Sequence, residues 1–302
     1  MEKLILSDKE IYNLKELGHG SEGTVFLYDN LAIKYYNRMQ MSTECMENKI
    51  GKIERLSEKT LDDFALPKDA IYNSNGELKG YSMKYYKSES DMQDYMLSNN
   101  YSLDQKIEKL KKLEKLIKNA HEQGITLVDT HFWNFLLVDD EIKIVDTDNY
   151  KVDNYKHDIE PVYFCTYFRD KISLMTDSDI DKFTFGIHII NLLSNGYFYQ
   201  DFTLAYNTLP YDYVVTYITL LDIDPRLRDF LFDLVSNNKE KKYFNEHLEM
   251  LSSSESFIKS KRWLYEKEKN INNFIIYFSN INIYFNFIFN KIKRRKNCKN
   301  IL

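Results

Sequence analysis

Three polar residues in the middle of the chain have the types and spacing of a phosphoryl-transfer site. Asp129 and Asn134 lie five positions apart, and Asp146 follows after two short apolar runs. An aspartate can orient a hydroxyl group and accept its proton, while an amide oxygen and a second carboxylate can hold magnesium. Taken singly, Asp129 and Asn134 would more often be turn formers or caps. The interpretation therefore depends on the elements around them.

A glycine-rich segment and a lysine near the N-terminus add a place for phosphate groups. Residues 18–25 read GHGSEGTV, and glycine allows the backbone to approach phosphates closely. Alone, the pattern fits a plain hairpin equally well. A dinucleotide-binding turn is disfavoured, because a strand rather than a helix follows. Lys34 comes eleven residues after Gly23, on a predicted strand from which it can reach nucleotide phosphates, although an isolated lysine is usually a solvated side chain.

These residues fall on a strand-rich first third and a mainly helical remainder. β-Branched and aromatic runs bounded by turn residues predict strands at 12–17, 24–28, 31–36, 69–72 and 81–86. Apolar residues at helical spacing predict helices over 42–57 and 103–120, and the chain beyond residue 179 is again mainly helical. A small hairpin, 135–138 with 142–145, separates Asn134 from Asp146.

In this order and context the motifs resemble those of the protein-kinase superfamily, over roughly residues 11 to 235. The resemblance implies ATP and Mg²⁺ as cofactors. It gives Asp129 the role of catalytic base, Lys34 that of holding the α- and β-phosphates, and Asn134 and Asp146 that of binding the metal. Residues 181–186, DKFTFG, resemble the start of the large buried helix of the second lobe. The glycine-rich loop, the strand before Lys34 and a hinge at 83–86 would supply the further nucleotide contacts: Gly18, Gly20, Gly23, Val25, Ala32, Met83, Lys84 and Tyr86.

The catalytic loop departs from the protein-kinase pattern at two places. Leu127-Val128 stands where His-Arg is usual, so activity would not depend on an arginine that reads a phosphorylated loop. His131, two residues after Asp129, gives a DxHxxN loop that resembles those of aminoglycoside and choline kinases. His131 would orient the loop through hydrogen bonds, which we favour, or take part in catalysis directly.

Further departures concern the metal site and the peptide platform. Residues 146–148 read DTD in place of DFG, and Asp148 would add a second carboxylate near the metal. An Ala-Pro-Glu sequence is not seen before residue 179, which puts the peptide-binding platform of protein kinases in doubt. The helix over 42–57 should supply a glutamate that pairs with Lys34, and either Glu47, which we prefer, or Glu54 fits that role.

The expected fold class is α+β, a two-lobed protein-kinase-like fold. A small antiparallel sheet with one helix would form the N-lobe over 1–86, and a mainly helical C-lobe would span 102–255. The polar stretch 87–101 would serve as hinge and inter-lobe linker. Residues 256–302 would form an aromatic and basic extension.

Composition limits which binding partners and which cellular compartment are expected. With a net charge of -5 the chain has no general attraction to nucleic acid, which is not expected as a partner. Three widely separated cysteines argue against a disulfide framework or a zinc site and fit a reducing cytoplasm. The first residues become charged too early for a secretory signal peptide.

The tail leaves membrane contact open. Residues 274–289 are rich in aromatics and isoleucine, and a basic run ending at 299 follows. Four polar residues interrupt the apolar stretch, whereas a bilayer span needs about 20 apolar residues. A packed extension, an interfacial helix and a true span are the alternatives, in that order of preference. Peripheral membrane association through 274–299 is thus an alternative to a purely cytoplasmic location.

The function expected is transfer of the γ-phosphate of ATP to a hydroxyl group. Ser or Thr of a protein is the first choice of acceptor, because the hinge and the 181–186 motif are protein-kinase-like. A small hydroxyl compound is the alternative supported by His131 and the missing Ala-Pro-Glu. A nucleotide-binding pseudokinase is the competing class, made less favourable by the joint presence of Lys34, Asp129, Asn134 and Asp146.

Overall fold

The structure, a computed structural model, describes residues 2–20, 22–36, 43–88, 90–156, 176–193 and 225–235, together with positions 215, 218, 219, 221, 223 and 243. Its secondary structure is mixed α+β, with an antiparallel-rich sheet near the N-terminus and several helices. This confirms the α+β part of the expected fold class. The tail at 256–302, including the aromatic and basic segment 274–299, lies outside the described residues.

The main sheet contains six strands: β1 (Lys3–Ile5), β2 (Lys15–His19), β3 (Gly23–Tyr28), β4 (Leu31–Tyr36), β5 (Pro67–Tyr72) and β6 (Leu78–Lys84). Their order across the sheet is β1-β5-β6-β4-β3-β2. β1 runs parallel to β5, and the other neighbours are antiparallel. The turn between β3 and β4 uses Asp29 in the left-handed region (φ 52°), as expected for a short polar residue in a tight hairpin.

The helices with full bounds are α1 (Asp8–Tyr12), α2 (Thr43–Ser57), α3 (Met92–Leu97), α4 (Leu103–Glu122), α5 (Asp177–Leu193) and α6 (Pro225–Val235). Two of them begin with a capping box. Ser102 accepts a hydrogen bond from the backbone of Gln105, whose side chain bonds back to Ser102, and this capping box starts α4. Ser7 and Glu10 do the same for α1.

Two small sheets complete the described fold. β7 (Ser90–Asp91), β9 (Phe135–Val138) and β10 (Glu141–Ile144) form one, in the order β10-β9-β7. β8 (Ile125–Thr126) and β11 (Lys151–Val152) form the other. The β9–β10 hairpin was predicted from sequence and turns on Asp139 and Asp140, both in the left-handed region.

Three apolar clusters hold these elements together. The largest joins α3, α4, the β9–β10 hairpin, α5 and α6, and includes Leu110, Phe135 and Phe183. A second lies on the face of the main sheet next to α2 and includes Ile53 and Tyr81. A third fills the opposite face beneath α1. The second cluster also contacts Leu136, Val138 and Val145 from the hairpin side, so the hairpin packs close to the sheet.

The stretch 87–101, expected as a polar linker, has structure of its own. It contains β7 and α3, and three side chains of α3 are buried: Met92, Tyr95 and Met96. Asp91 caps the helix by accepting a hydrogen bond from the Asp94 amide at 2.9 Å. Met92, Tyr95 and Met96 follow the i, i+3, i+4 spacing of one helix face. The surrounding serines led to the prediction of a polar linker instead.

Candidate active site

One cavity of about 830 Å³ lies between the main sheet and the β9–β10 hairpin. This volume falls within the usual range of small-molecule sites. Glu47, Glu54 and Asp148 do not line it, and the other candidate residues from the sequence do: Gly18, Gly20, Gly23, Val25, Ala32, Lys34, Met83, Lys84, Tyr86, Asp129, His131, Asn134 and Asp146. The fold therefore collects into one place residues that are far apart along the chain.

The glycine-rich turn forms one wall of the cavity. The Gly20 amide donates to the Gly23 carbonyl at 2.8 Å, closing the turn between β2 and β3. A Cβ at position 23 would lie 2.5 Å from the Tyr35 carbonyl oxygen, so packing against β4 requires glycine there. At Gly18 and Gly20 a Cβ would meet nothing within 4 Å. Packing among the described residues therefore does not require glycine at these two positions.

The apolar part of the cavity is a slot between the sheet and the hairpin. Leu17, Val25 and Ala32 line it from the sheet, and Leu136 and Val145 from the hairpin side. The register pairs Ala32 with Met83, so the expected hinge at 83–86 continues directly from the edge of this slot. Tyr86 is fixed there by a 2.8 Å hydrogen bond to the Asp62 carbonyl, and burial together with the nearby carboxylates Asp63 and Asp62 raises its pKa to about 12.

Lys34 is a buried cation surrounded by carboxylates. Its Nζ lies 2.7 Å from Asp148 and 3.2 Å from Glu22, and it also donates to Asp146. Burial works against its charge, but Asp148 and Asp146 outweigh that effect and raise the pKa of Lys34 well above its usual value. Lys34 therefore stays charged.

Asp148 is the fully buried partner in this cluster. Lys34 and Lys49 approach its two oxygens at 2.7 Å each, and the hydroxyls of Tyr36 and Tyr81 donate to it at 2.9 Å. Burial would raise its pKa, but the two ammonium groups hold the pKa of Asp148 well below its usual range. Because its oxygens are engaged by these donors and it does not line the cavity, the structure does not use Asp148 as the second metal carboxylate expected from the sequence.

The expected pair between Lys34 and a glutamate of α2 is not formed among the described residues. Glu47 and Glu54 are both exposed, whereas Lys49, Lys52, Ile53 and Leu56 are buried. At 100° per residue the inward face of α2 is centred roughly opposite the two glutamates. The expectation failed because it took Ile50 and Ile53 as the centre of that face. The helix presents lysine to the site instead of glutamate.

Asp129 lies on a strained turn that α5 holds in place. Val128 has φ 64°, which is unusual for a β-branched residue, and the Asp129 amide donates to the Leu127 carbonyl at 2.6 Å across it. The fully buried carboxylate of Asp181 accepts hydrogen bonds from the amides of Leu127 at 2.8 Å and Val128 at 2.7 Å. Asp181, singled out from the sequence, thus fixes the backbone immediately before Asp129.

Two histidines flank the same loop. His188 of α5 is buried, donates from Nε2 to the Thr130 carbonyl at 2.7 Å and stacks on Phe132. Burial lowers the pKa of His188 to about 3, so it is neutral and structural. His131 stacks on Trp133, and burial lowers its pKa although Asp129 opposes this. Trp133 is 61% exposed at the mouth of the cavity, a feature that sequence inspection did not single out.

Asn134 and Asp146 stand at the two ends of the β9–β10 hairpin. The Val145 amide donates to the Asn134 carbonyl at 2.9 Å, which keeps the two ends together. Asn134 Nδ2 donates to the Asp129 carbonyl at 3.4 Å, so its amide oxygen is left to accept a cation. Asp146 has φ 60°, an uncommon conformation for a residue other than glycine.

These two residues fit a magnesium ion. Mg²⁺ in nucleotide sites is typically held by one or two protein oxygens together with substrate phosphates and waters. No group of three or more His, Cys, Asp or Glu side chains that could hold a metal occurs among the described residues. The described part of the chain therefore offers no metal site built from protein side chains alone. It offers the pair Asn134 and Asp146, which suits an ion shared with phosphates and waters.

Three further residues of the site were not anticipated: Glu22, Lys49 and Asn149. Glu22 of the glycine-rich turn accepts from Asn149 Nδ2 at 2.7 Å as well as from Lys34. Lys49 contacts Asp148 and Asn149 from α2. The one signal in the sequence was the unusual DTDN run at 146–149, in which the polar Thr147 and Asp148 stand where an apolar and a small residue were expected.

Comparison with known protein families gave no match, and comparison with curated proteins gave none either. In the described part of the chain no helix is long and apolar enough to cross a membrane.

Proposed function

We propose that this chain is an ATP-dependent phosphotransferase with a two-lobed protein-kinase-like fold, which moves the γ-phosphate of Mg-ATP to a hydroxyl group. The observation that carries the proposal is the single cavity in which a buried, charged Lys34 faces Asp146, Asn134 and Asp129 beneath the glycine-rich turn. Phosphoryl transfer depends mainly on positioning and on neutralising charge, and these residues supply both.

Each wall of the cavity suits one part of the nucleotide. The apolar slot fits a flat base, with backbone groups of the hinge at 83–86 beside it. Lys34 would hold the α- and β-phosphates under the open faces of Gly18 and Gly20. Asn134 and Asp146 would hold Mg²⁺, which when bound neutralises charge on the phosphates. Asp129, partly exposed in the cavity, would orient the acceptor hydroxyl and receive its proton.

Ser or Thr of a protein is the first choice of acceptor, supported by the anchoring of the catalytic loop on Asp181. A small hydroxyl compound is the second candidate, and Trp133 favours it. This indole is largely exposed beside Asp129 and stacks on His131, with ring centroids 5.3 Å apart, so it offers a flat surface for an organic ring or cation.

Transfer from γ-labelled Mg-ATP tests the proposal directly. Wild type would be compared with Asp129→Asn and with Asp139→Asn, a matched change in an exposed turn whose positive φ asparagine tolerates. A generic protein, the chain itself and small hydroxyl compounds would serve as acceptors. We expect Asp129→Asn to lose transfer about 10²-fold or more while still binding nucleotide, the scale of general-base catalysis, and Asp139→Asn to match wild type.

A second variant separates binding from chemistry. Asp146→Asn should weaken Mg-nucleotide binding, because it removes a metal ligand. If wild type binds Mg-ATP without transferring phosphate to any acceptor, the chain is better described as a nucleotide-binding module. If Asp129→Asn and Asp146→Asn match wild type in both binding and turnover, the site assignment is wrong.

A further inference from the structure

Lys34 has three carboxylate partners, and they differ in what a nucleotide would do to them. Asp146 and Glu22 line the cavity, so a bound metal and phosphates would compete with Lys34 for both. Asp148 does not line the cavity and is fully buried, with its Oδ1 2.7 Å from Lys34. It is therefore the partner that can stay with Lys34 when the cavity is filled.

Helix α2 holds this carboxylate from the other side. Lys49 Nζ lies 2.7 Å from Asp148 Oδ2, and it also donates to the Asp148 carbonyl and the Asn149 side chain at 3.2 Å each. Tyr36 and Tyr81 add hydroxyl donors from β4 and β6. The carboxylate is thus fixed between the sheet, α2 and the segment that carries Asp146.

From this geometry we propose that Asp148 is the positioning carboxylate for Lys34, and that Lys49 fixes Asp148 to α2. The inference rests on the proposed function and deepens it. A lysine ammonium on a flexible four-carbon stem needs an anchor to present its charge at one place. In this chain the anchor, Asp148, follows the proposed metal ligand Asp146 by two residues. Helix α2 does not supply the anchor; it supplies Lys49, the cation that holds Asp148 in place.

Binding of Mg-ATP to the full chain, measured by calorimetry, is the test, with the denaturant midpoint as a second readout. We expect Asp148→Asn to weaken nucleotide binding about ten- to a hundredfold, the range that loss of one charge-assisted hydrogen bond corresponds to. The denaturant midpoint of Asp148→Asn should also fall, because the buried ammonium groups of Lys34 and Lys49 each lose a charged partner. Lys49→Met combined with Asp148→Asn should recover part of the midpoint but not the affinity, since Lys34 still lacks its anchor.

Asp69→Asn is the matched control. Asp69 is a buried carboxylate of β5 that does not line the cavity, and it accepts a 2.8 Å hydrogen bond from the Ser82 hydroxyl. Its midpoint should fall while its affinity for Mg-ATP stays at the wild-type value. If Asp148→Asn does not fold, the double variant, which removes both charges, carries the affinity measurement.

The outcomes separate the two proposals. If wild type does not bind Mg-ATP, the proposed function fails and this inference fails with it. If wild type binds but Asp148→Asn binds equally well, the inference alone is wrong. It is also wrong if the double variant regains affinity together with stability, because Asp148 would then have only a structural role.

Discussion

Replacing Asp181 tests whether α5 holds the loop that carries Asp129 in its strained shape. Its carboxylate accepts from the amides of Leu127 and Val128 and lies 2.8 Å from His121 Nε2. Asp181→Asn keeps the volume but leaves one acceptor oxygen for two backbone donors. Leaving one buried donor without a partner costs about 1–3 kcal/mol, and weakening the remaining charge-assisted bonds adds about 1 kcal/mol. We expect a loss of roughly 2–4 kcal/mol in the free energy of unfolding, a large share of the usual total.

The same substitution should slow transfer more than it weakens nucleotide binding. The left-handed conformation of Val128 costs about 1–3 kcal/mol and persists only while its surroundings hold it. Once the turn relaxes, Asp129 moves away from the acceptor. The sheet residues proposed to hold the nucleotide lie on β2, β3, β4 and β6, whereas Asp181 bonds to His121, Leu127 and Val128. We therefore expect kcat to fall by about tenfold or more and KM for ATP to change by less than threefold.

Denaturant titration and steady-state kinetics of the purified chain give both numbers. Asp153→Asn is the control, since Asp153 pairs with Arg55 and Lys59 at the surface, and such pairs contribute at most about 1 kcal/mol. An Asp181→Asn chain that unfolds within about 1 kcal/mol of wild type and keeps its kcat would refute the reasoning.

Two further predictions concern the ionisable side chains of His188 and Glu22. His188 has a folded pKa of about 3, lowered by burial, against about 6.5 in the unfolded chain, so stability should fall as the pH drops below 6.5. By pH 5.5 this histidine alone should cost about 1.4 kcal/mol, and denaturation of His188→Gln should show a shallower pH dependence. Glu22 accepts hydrogen bonds from Lys34 and from the Asn149 amide, donors that phosphates would use, so Glu22→Gln should tighten Mg-ATP binding about two- to tenfold in calorimetry. Unchanged or weaker binding would show that Glu22 does not compete with the nucleotide.

Local signals in the sequence predicted much of the fold. The bounds of β4 and β9 match the predicted 31–36 and 135–138, because turn residues flank both runs. Apolar residues at helical spacing placed the start of α4 correctly at residue 103. β1 was missed, since it is short and its parallel pairing with β5 joins residues far apart in sequence. Pairing over such distances leaves no local pattern to read.

For the candidate site too, predictions from local spacing succeeded and those that depend on packing between distant segments failed. Residues identified by spacing within one segment, such as Asp129 with Asn134, were found together in the cavity. The partner of Lys34 depended on which face α2 turns inward, and apolar spacing alone placed that face about a quarter of a turn away from where it is. The buried lysines Lys49 and Lys52 were the missing information, because lysine is rarely buried and neither was considered for that face.

Two departures from the protein-kinase pattern explain each other physically. An aspartate in place of glycine at 148 would put an uncompensated charge in the core, which is costly unless cations meet it. An α2 helix with lysine rather than glutamate on its inward face would likewise bury a cation with no partner. Placed together, Asp148 and Lys49 satisfy each other, and Lys34 takes the remaining carboxylate oxygen. Either change alone would therefore be expected to destabilise this core, whereas the pair keeps Lys34 anchored and leaves Asp146 as the carboxylate of the two that faces the cavity.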